Sequence, residues 1–151
     1  MNKIISKEQF SEKVFRFEVE APLIARSRRA GHFVIVRVGE TGERIPLTIA
    51  EADKQRGTIT LVVQNVGLSS QKLCALEAGD YITDVVGPLG RATHIEKFGT
   101  VVCAGGGVGV APMLPIIRAL KDNGTGFRRH LLGQSPFKPP SEVHSPRAIR
   151  P

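Results

Sequence analysis

The 151-residue chain is 41% hydrophobic with a formal charge of +7, enough apolar material for one good core, or one small domain plus a fragment, and too little for two complete domains. Two cysteines, an aromatic fraction of 5% and no Trp argue against a disulfide framework and leave little material for base-stacking platforms. No apolar run reaches membrane-spanning length and "MNKIISKEQF" lacks a signal-peptide core, so a cytoplasmic setting without a membrane span is expected.

In chain order, the first hundred residues read as short strands. "KVFRFEVEA" (13–21) sets Val14, Phe15, Phe17 and Val19 among polar partners, and "HFVIVRVG" (32–39) is strongly β-branched. "ERIPLTIAE" (43–51) is apolar and β-branched around Thr48, but Pro46 removes a backbone donor, so the segment belongs at a sheet edge or at a bend. It reads either as an ordinary edge strand or as a surface for a flat ligand. "GTITLVVQNVG" (57–67) and "DYITDVVG" (80–87) add further strands, and the breaks "GETGER" (39–44) and "EADKQRG" (51–57) give the spacing of an antiparallel barrel or sandwich. One interruption is helical: "SSQKLCALEAG" (69–79) places Leu73, Ala75 and Leu76 at helical spacing behind two serines and closes on Gly79.

After Phe98 the period changes. "TVVCAG" (100–105) is a buried-strand pattern, and Pro112 to Asn123 forms an amphipathic helix through Met113, Leu114, Ile116, Ile117 and Leu120. This is the opening βα unit of an α/β domain, and with no further partners Leu114, Ile117 and Leu120 are expected to be exposed and to favour association. Residues 125–151 hold five of the ten prolines and show neither period, with only "HLLG" able to serve as a second strand. This tail also holds Arg128, Arg129, Lys138, Arg147 and Arg150 against Glu142, so most of the net charge is terminal and reads as a solvated tail rather than a nucleic-acid surface. A basic RNA-binding barrel fails further because basic strands interleaved with aromatics are missing. The expected divisions are 1–98 (β-barrel), 99–124 (start of the α/β domain) and 125–151 (irregular basic tail). Cys74 and Cys103 sit in apolar patterns as small buried hydrophobes, and His32, His94, His130 and His144 show no ligand spacing.

Three turns carry the chemistry. Arg44 leads into Pro46, Leu47 and Thr48; Gly67, Leu68, Ser69 and Ser70 open a helix whose free N–H groups suit either a phosphate or simple serine capping; and Gly105, Gly106, Gly107, Val108 and Gly109 leave bare backbone between a strand and a helix. The last is not the usual G-x-G-x-x-G with its acidic residue downstream.

In this order the three turns resemble the small flavoprotein subunits of the ferredoxin-NADP reductase superfamily, over about residues 1–124. The resemblance implies a six-stranded antiparallel FAD-binding barrel followed by the first βα unit of an NAD(P)-binding α/β domain. It implies Thr48 at the flavin N5, as the residue closest to catalysis, with Pro46 and Leu47 against the ring system. It places Arg44 toward the FAD phosphates, although Arg44 lies four residues before Thr48 rather than the usual three, with Ile45 in the expected arginine place. Gly67, Leu68, Ser69 and Ser70 become the pyrophosphate turn, "VGPLG" (86–90) the closing turn of the barrel, and Gly106, Gly107, Val108 and Gly109 the nicotinamide-dinucleotide turn. The implied function is electron transfer between NAD(P)H and an iron–sulfur or flavoprotein partner, the partner being a larger subunit or a dehydrogenase catalytic subunit. The alternative is an FAD-binding module without NAD(P)H turnover, its nicotinamide site weak or lost. Relatives in this branch carry a cysteine cluster for a [2Fe-2S] centre, and with two cysteines none is expected on this chain. The composition shift after Gly124 suggests a truncation or a change of reading frame.

Overall fold

The computed structural model describes residues 1–131. Its first unit is an antiparallel sheet of β1 (Asn2–Ser11), β2 (Val14–Glu20), β3 (Phe33–Arg37), β4 (Ile45–Asp53), β5 (Thr58–Gln64), β6 (Tyr81–Ile82) and β7 (Asp84–Leu89), in the order β6-β1-β2-β5-β4-β3-β7. The two ends of that order, β6 and β7, are separated in the chain only by Thr83, so they are two halves of one strand that reaches both edges of the sheet. This closes a six-stranded barrel and leaves little free edge.

Alternation fills the interior. Phe17 and Val19 on β2, Val34 and Val36 on β3, and Ile59, Leu61 and Val63 on β5 all lie in one core with Ile4, Ile49, Leu73 and Ile82, while their chain neighbours face out. The short α1 (Pro22–Ser27) adds Ile24 and Ala25 to this core. Neither β1 nor α1 is legible in the sequence pattern: β1 has register shifts at Ile4/Ser6 and Gln9/Ser11 that break its period of two, and α1 is six residues long, too short to show a period. The helix expected over 69–79 is the shorter α2 (Leu68–Cys74). Beyond it the Asp80 carboxylate accepts the Glu77 N–H at 2.8 Å, and Gly79, at φ 98°, turns the chain so that its N–H meets the Ile4 carbonyl at 2.8 Å.

The second unit is β8 (Thr100–Gly105), a 3-10 turn at Gly107–Gly109, α3 (Val110–Asp122) and β9 (Gly126–Leu131). β9 pairs in parallel with β8 from Thr100↔Gly126 to Gly105↔Leu131. This corrects the expectation of an irregular tail from residue 125: the βα unit is a full β-α-β crossover, and the second strand begins before "HLLG" because Gly124 (φ 75°) ends the helix and Gly126 starts the strand at once. The rest of the tail, 132–151, lies outside the described residues. A second correction concerns α3. It packs along β4, with Val110 and Leu114 buried against Phe10 and Val62, and Leu120 is buried too, so two of the three apolar side chains expected to be exposed are covered. Among the described residues no helix is long and apolar enough to cross a membrane.

Phe17 is the bulkiest fully buried side chain of the barrel. Phe17→Ala is expected to lower the unfolding free energy by about 3–5 kcal/mol, read in urea as a lower midpoint at unchanged slope. A loss under about 1 kcal/mol would place the ring outside the load of the core.

Candidate cofactor site

Strand β4 builds the first wall of the site. Ile45 and Leu47 pack on the barrel core, so the alternate residues Pro46 and Thr48 face outward, Pro46 exposed and Thr48 half-buried. Leu47 was expected beside Pro46 against a ring system, and its side chain is instead on the opposite face of the strand, supporting the wall from inside. Across the sheet, Pro46 pairs with Ile35 and Ile35 with Val86, while Thr48 pairs with Phe33 and Phe33 with Leu89. These two rows make an outward strip that is apolar apart from the Thr48 hydroxyl, and Val86 is 50% exposed on it. Gly87 and Gly90 let the strip close tightly: a Cβ on Gly90 would lie 2.8 Å from the Phe33 ring, and one on Gly87 2.8 Å from Val34 Cγ1.

Pro46 is compatible with this wall because β4 changes partners. Residues 45–48 pair with β3 and residues 49–53 with β5, so the ring sits where only one neighbour needs backbone bonds. The segment is thus the bend expected of it, inside the sheet order rather than at its edge.

Arg44 lies at the start of β4 with its side chain 64% exposed, and Nη2 is 4.0 Å from the Asp84 carboxylate. The same carboxylate accepts from Arg37 Nε at 2.6 Å. Asp84 therefore holds Arg37 firmly and leaves Arg44 loosely tethered, free to meet an anion. Nothing in the sequence singles out Arg37 or Asp84, because the Arg37↔Asp84 pairing depends on β3 meeting β7.

The second element is the entry to α2. Gly67 is the N-cap, in extended backbone (φ −160°, ψ 175°), with open space in the direction of a Cβ. Ser70 is almost fully buried; its hydroxyl accepts from the N–H groups of Gly67 (2.9 Å) and Val66 (3.0 Å) and donates to the Gly67 carbonyl (2.8 Å). One donor and two acceptor sites are then all used, so Ser70 shapes the turn and has no proton left for a phosphate. The Ser69 hydroxyl donates to the Glu43 carboxylate, which ties this turn to the residue before Arg44. Helix geometry leaves the N–H groups of Leu68 and Ser69 without intrahelical acceptors. Val66 and Leu68 are 76% and 69% exposed beside them, and a shallow depression at this end of the barrel is lined by Gly42, Glu43, Ile45, Ser69 and Lys72. Lys72, three residues after Ser69 and one helical turn along, is a cation that helical spacing alone could have pointed out.

The third element lies beside β5. A Cβ on Gly105 would stand 2.5 Å from Met113 Sδ, so this glycine lets α3 close onto β8. Gly107 has φ 55° and, like Gly109, open space where a Cβ would be, while Val108 is half-buried. Gly106 is exposed at the head of the 3-10 turn, as its N-cap. The fold thus brings the start of β4 to the Gly67–Ser70 turn, and sets the glycine turn beside β5. Cys74 is buried, and burial pushes its thiol pKa up, away from nucleophile chemistry. Among the described residues no three His, Cys, Asp or Glu side chains converge as a metal site.

Residues 2–94 match the family model of the oxidoreductase FAD-binding domain. The chain belongs to this family. It is 44% identical over 127 residues to a homolog of the dihydroorotate dehydrogenase B (NAD(+)) electron transfer subunit from Thermotoga maritima, covering 84% of this chain and 45% of that protein. The electron transfer subunit of dihydroorotate dehydrogenase B from Shouchella clausii is 30% identical, over 93% of this chain and 60% of its own length. Among solved structures, NADH-dependent reduced ferredoxin-NADP oxidoreductase superposes with a TM-score of 0.85 at 42% identity, over 87% of this chain and 48% of that one. Phthalate dioxygenase reductase superposes at 0.72 with 25% identity, over 87% of this chain and 43% of that one. This FAD-binding-domain chain therefore spans about half the length of the relatives it matches.

The division of labour between the two serines of this family member is testable. Ser70→Ala is expected to cost about 1 kcal/mol of unfolding free energy, whereas Ser69→Ala, which loses one exposed contact to Glu43, is expected to stay within about 0.5 kcal/mol of wild type. Thermal unfolding of both variants decides it, and equal losses would contradict the saturated role given to Ser70.

Proposed function

We propose that this chain binds FAD on the outer wall of its barrel and serves as an FAD-binding module of an electron-transfer oxidoreductase working between NAD(P)H and a redox partner. The observation that carries the reading is the outward pair Pro46 and Thr48 on an apolar strip, together with the contact of Ser69 with Glu43 that brings the bare turn at Gly67 to the start of the same strand. A flat apolar ring system fits the strip, and a phosphate fits a turn with no Cβ and free N–H groups. Bound FAD supplies the electron-accepting chemistry, and the residues of this chain position it.

In this reading Pro46, Ile35 and Val86 exclude water from one face of the ring, and Thr48 offers a hydroxyl at its edge, toward the flavin N5. The N–H groups of Leu68 and Ser69 receive the pyrophosphate. Arg44 swings from its loose contact with Asp84 to the same phosphates, and Ser69 exchanges Glu43 for them. Ser70 contributes the shape of the turn. Gly106, Gly107, Val108 and Gly109 form the approach for a nicotinamide nucleotide at the head of α3. The partner is a larger iron–sulfur or dehydrogenase subunit, which the names of the relatives support, and the setting is the cytoplasm.

The test is a titration of the purified chain with FAD, followed by anaerobic NADH or NADPH. Flavin bands that bleach with either nucleotide are the expected result. Bands that form and stay oxidised support the narrower reading, FAD binding without NAD(P)H turnover, and no bound flavin removes the proposal. Gly67→Asp separates binding from folding. Asp is a favourable N-cap and the space at Gly67 is open, so the unfolding midpoint is expected to hold, while a carboxylate at the phosphate seat weakens FAD binding about tenfold or more, about 1.4 kcal/mol.

A further inference from the structure

We propose that Glu8, Arg16, Glu51 and Arg118 form a salt-sensitive latch that fixes α3, and with it the glycine turn at its head, against the outer wall of the barrel. The four residues make a continuous chain of alternating charge. Arg16 Nη1 stands 3.8 Å from Glu8 Oε2 and Arg16 Nη2 3.7 Å from Glu51 Oε2, while Arg118 Nη1 donates to Glu51 Oε1. The chain runs from β1 through β2 and β4 to α3, across the boundary between the two units.

Two features of the fold aim it. A register shift between Ile49 and Glu51 inserts Ala50 as an extra residue of β4, so that Ile49 and Ala52 both remain packed on the core and Glu51 faces out, opposite Thr60. Without that bulge strict alternation would turn Glu51 into the barrel. On the helix, Val110, Leu114 and Arg118 are spaced four residues apart and form one stripe. The first two are buried in the apolar contact with Phe10 and Val62, and the third makes the ion pair. Apolar packing thus anchors the head of α3, and the charge chain anchors its far half.

A rod held on the barrel only at Val110 and Leu114 can pivot, and a second contact at Arg118, about one turn beyond Leu114, restrains it. Glu51 and Arg118 are partly buried, with side chains 25% and 41% exposed, so water and salt reach the contact and weaken it without abolishing it. Arg28 stands close enough to be affected by both charges. Burial lowers its pKa first, Glu51 opposes that, and Arg118 adds to it. Glu51 is therefore shared by Arg16, Arg118 and Arg28, and its loss leaves Arg118 and Arg28 repelling each other. The consequence for electron transfer rests on the reading of the glycine turn as the nucleotide approach: an α3 that pivots about Val110 and Leu114 tilts that turn, which directly precedes Val110.

Amide hydrogen exchange on the full chain tests the latch without any nucleotide. Wild type in low salt is compared with wild type in 1 M NaCl and with Glu51→Gln and Arg118→Met, the latter keeping an apolar stem. Exchange across residues 110–122 is expected to rise about two- to fivefold in both variants and in high salt, while β2 and β5 are unchanged. Unchanged exchange in 110–122 would overturn the proposal and leave the apolar contact as the whole attachment. A rise shared equally by β2 and β5 would also overturn it, since Glu51 would then be supporting the barrel. FAD absorbance of the same samples is read in parallel; loss of flavin from wild type counts against the proposed function and leaves the latch result standing.

Discussion

Strand β4 has nine residues and two sets of neighbours, and the site depends on how it changes from one to the other. Its first half pairs with β3 and its second half with β5, with a bulge at the change. The split pairing lets Pro46 sit in a strand interior, because the missing N–H faces a side with no partner. It also sets which side chains leave the barrel: Pro46 and Thr48 before the bulge, Glu51 after it. An unbulged β4 would keep Pro46 and Thr48 outward and bury Glu51, so the wall for a cofactor would survive and the tie to α3 would not.

Polar groups around the wall divide into those already committed and those still available. Ser70 and Arg37 are committed, the first by a saturated hydroxyl and the second by a 2.6 Å bond to Asp84. Arg44 and Ser69 are available, each held only by one exposed or marginal contact. Such a division suits the diphosphate ligand proposed for this wall. The committed pair keeps the turn and strand in shape when no ligand is present, and the available pair changes partner at low cost because exposed ion pairs contribute little stability.

Much of this was legible in the sequence, for reasons that can be named. The barrel strands β2, β3 and β5 declare themselves because apolar, β-branched and aromatic residues recur at every second position toward the core, even where the outward Glu18, Thr58 and Thr60 are buried too. The three turns declare themselves because glycine and proline are needed there by backbone geometry. What was hidden depends on tertiary pairing. β1 loses its period at two register shifts, Asp84 meets Arg37 only because β7 closes the barrel, and Leu47 turns inward because it alternates with the outward Pro46 on one strand. The exposure expected for Leu114 does not hold because its partner is the outside of the barrel, which a helix pattern in the sequence cannot reveal, and Leu120 is buried as well. β9 begins earlier than "HLLG" suggests because "GFRRHL" carries no strand period, and its pairing with β8 comes from a tight helix exit through two glycines.

The outer wall of the barrel consequently does two jobs that are usually thought of as belonging to separate domains. Its strip on β3, β4 and β7 is the proposed seat of a flat apolar ligand, and its β4–β5 flank is the floor on which α3 rests. Both use the same strand, separated by the Ile49–Glu51 bulge. Any movement of β4 is therefore felt by the ligand wall and by the helix that carries the glycine turn, and a rigid core beneath β4 is the condition for holding the two in register. Ile49, Ile59 and Leu61 supply that rigidity: all three are fully buried, and they lie directly under the point where the strand changes partner.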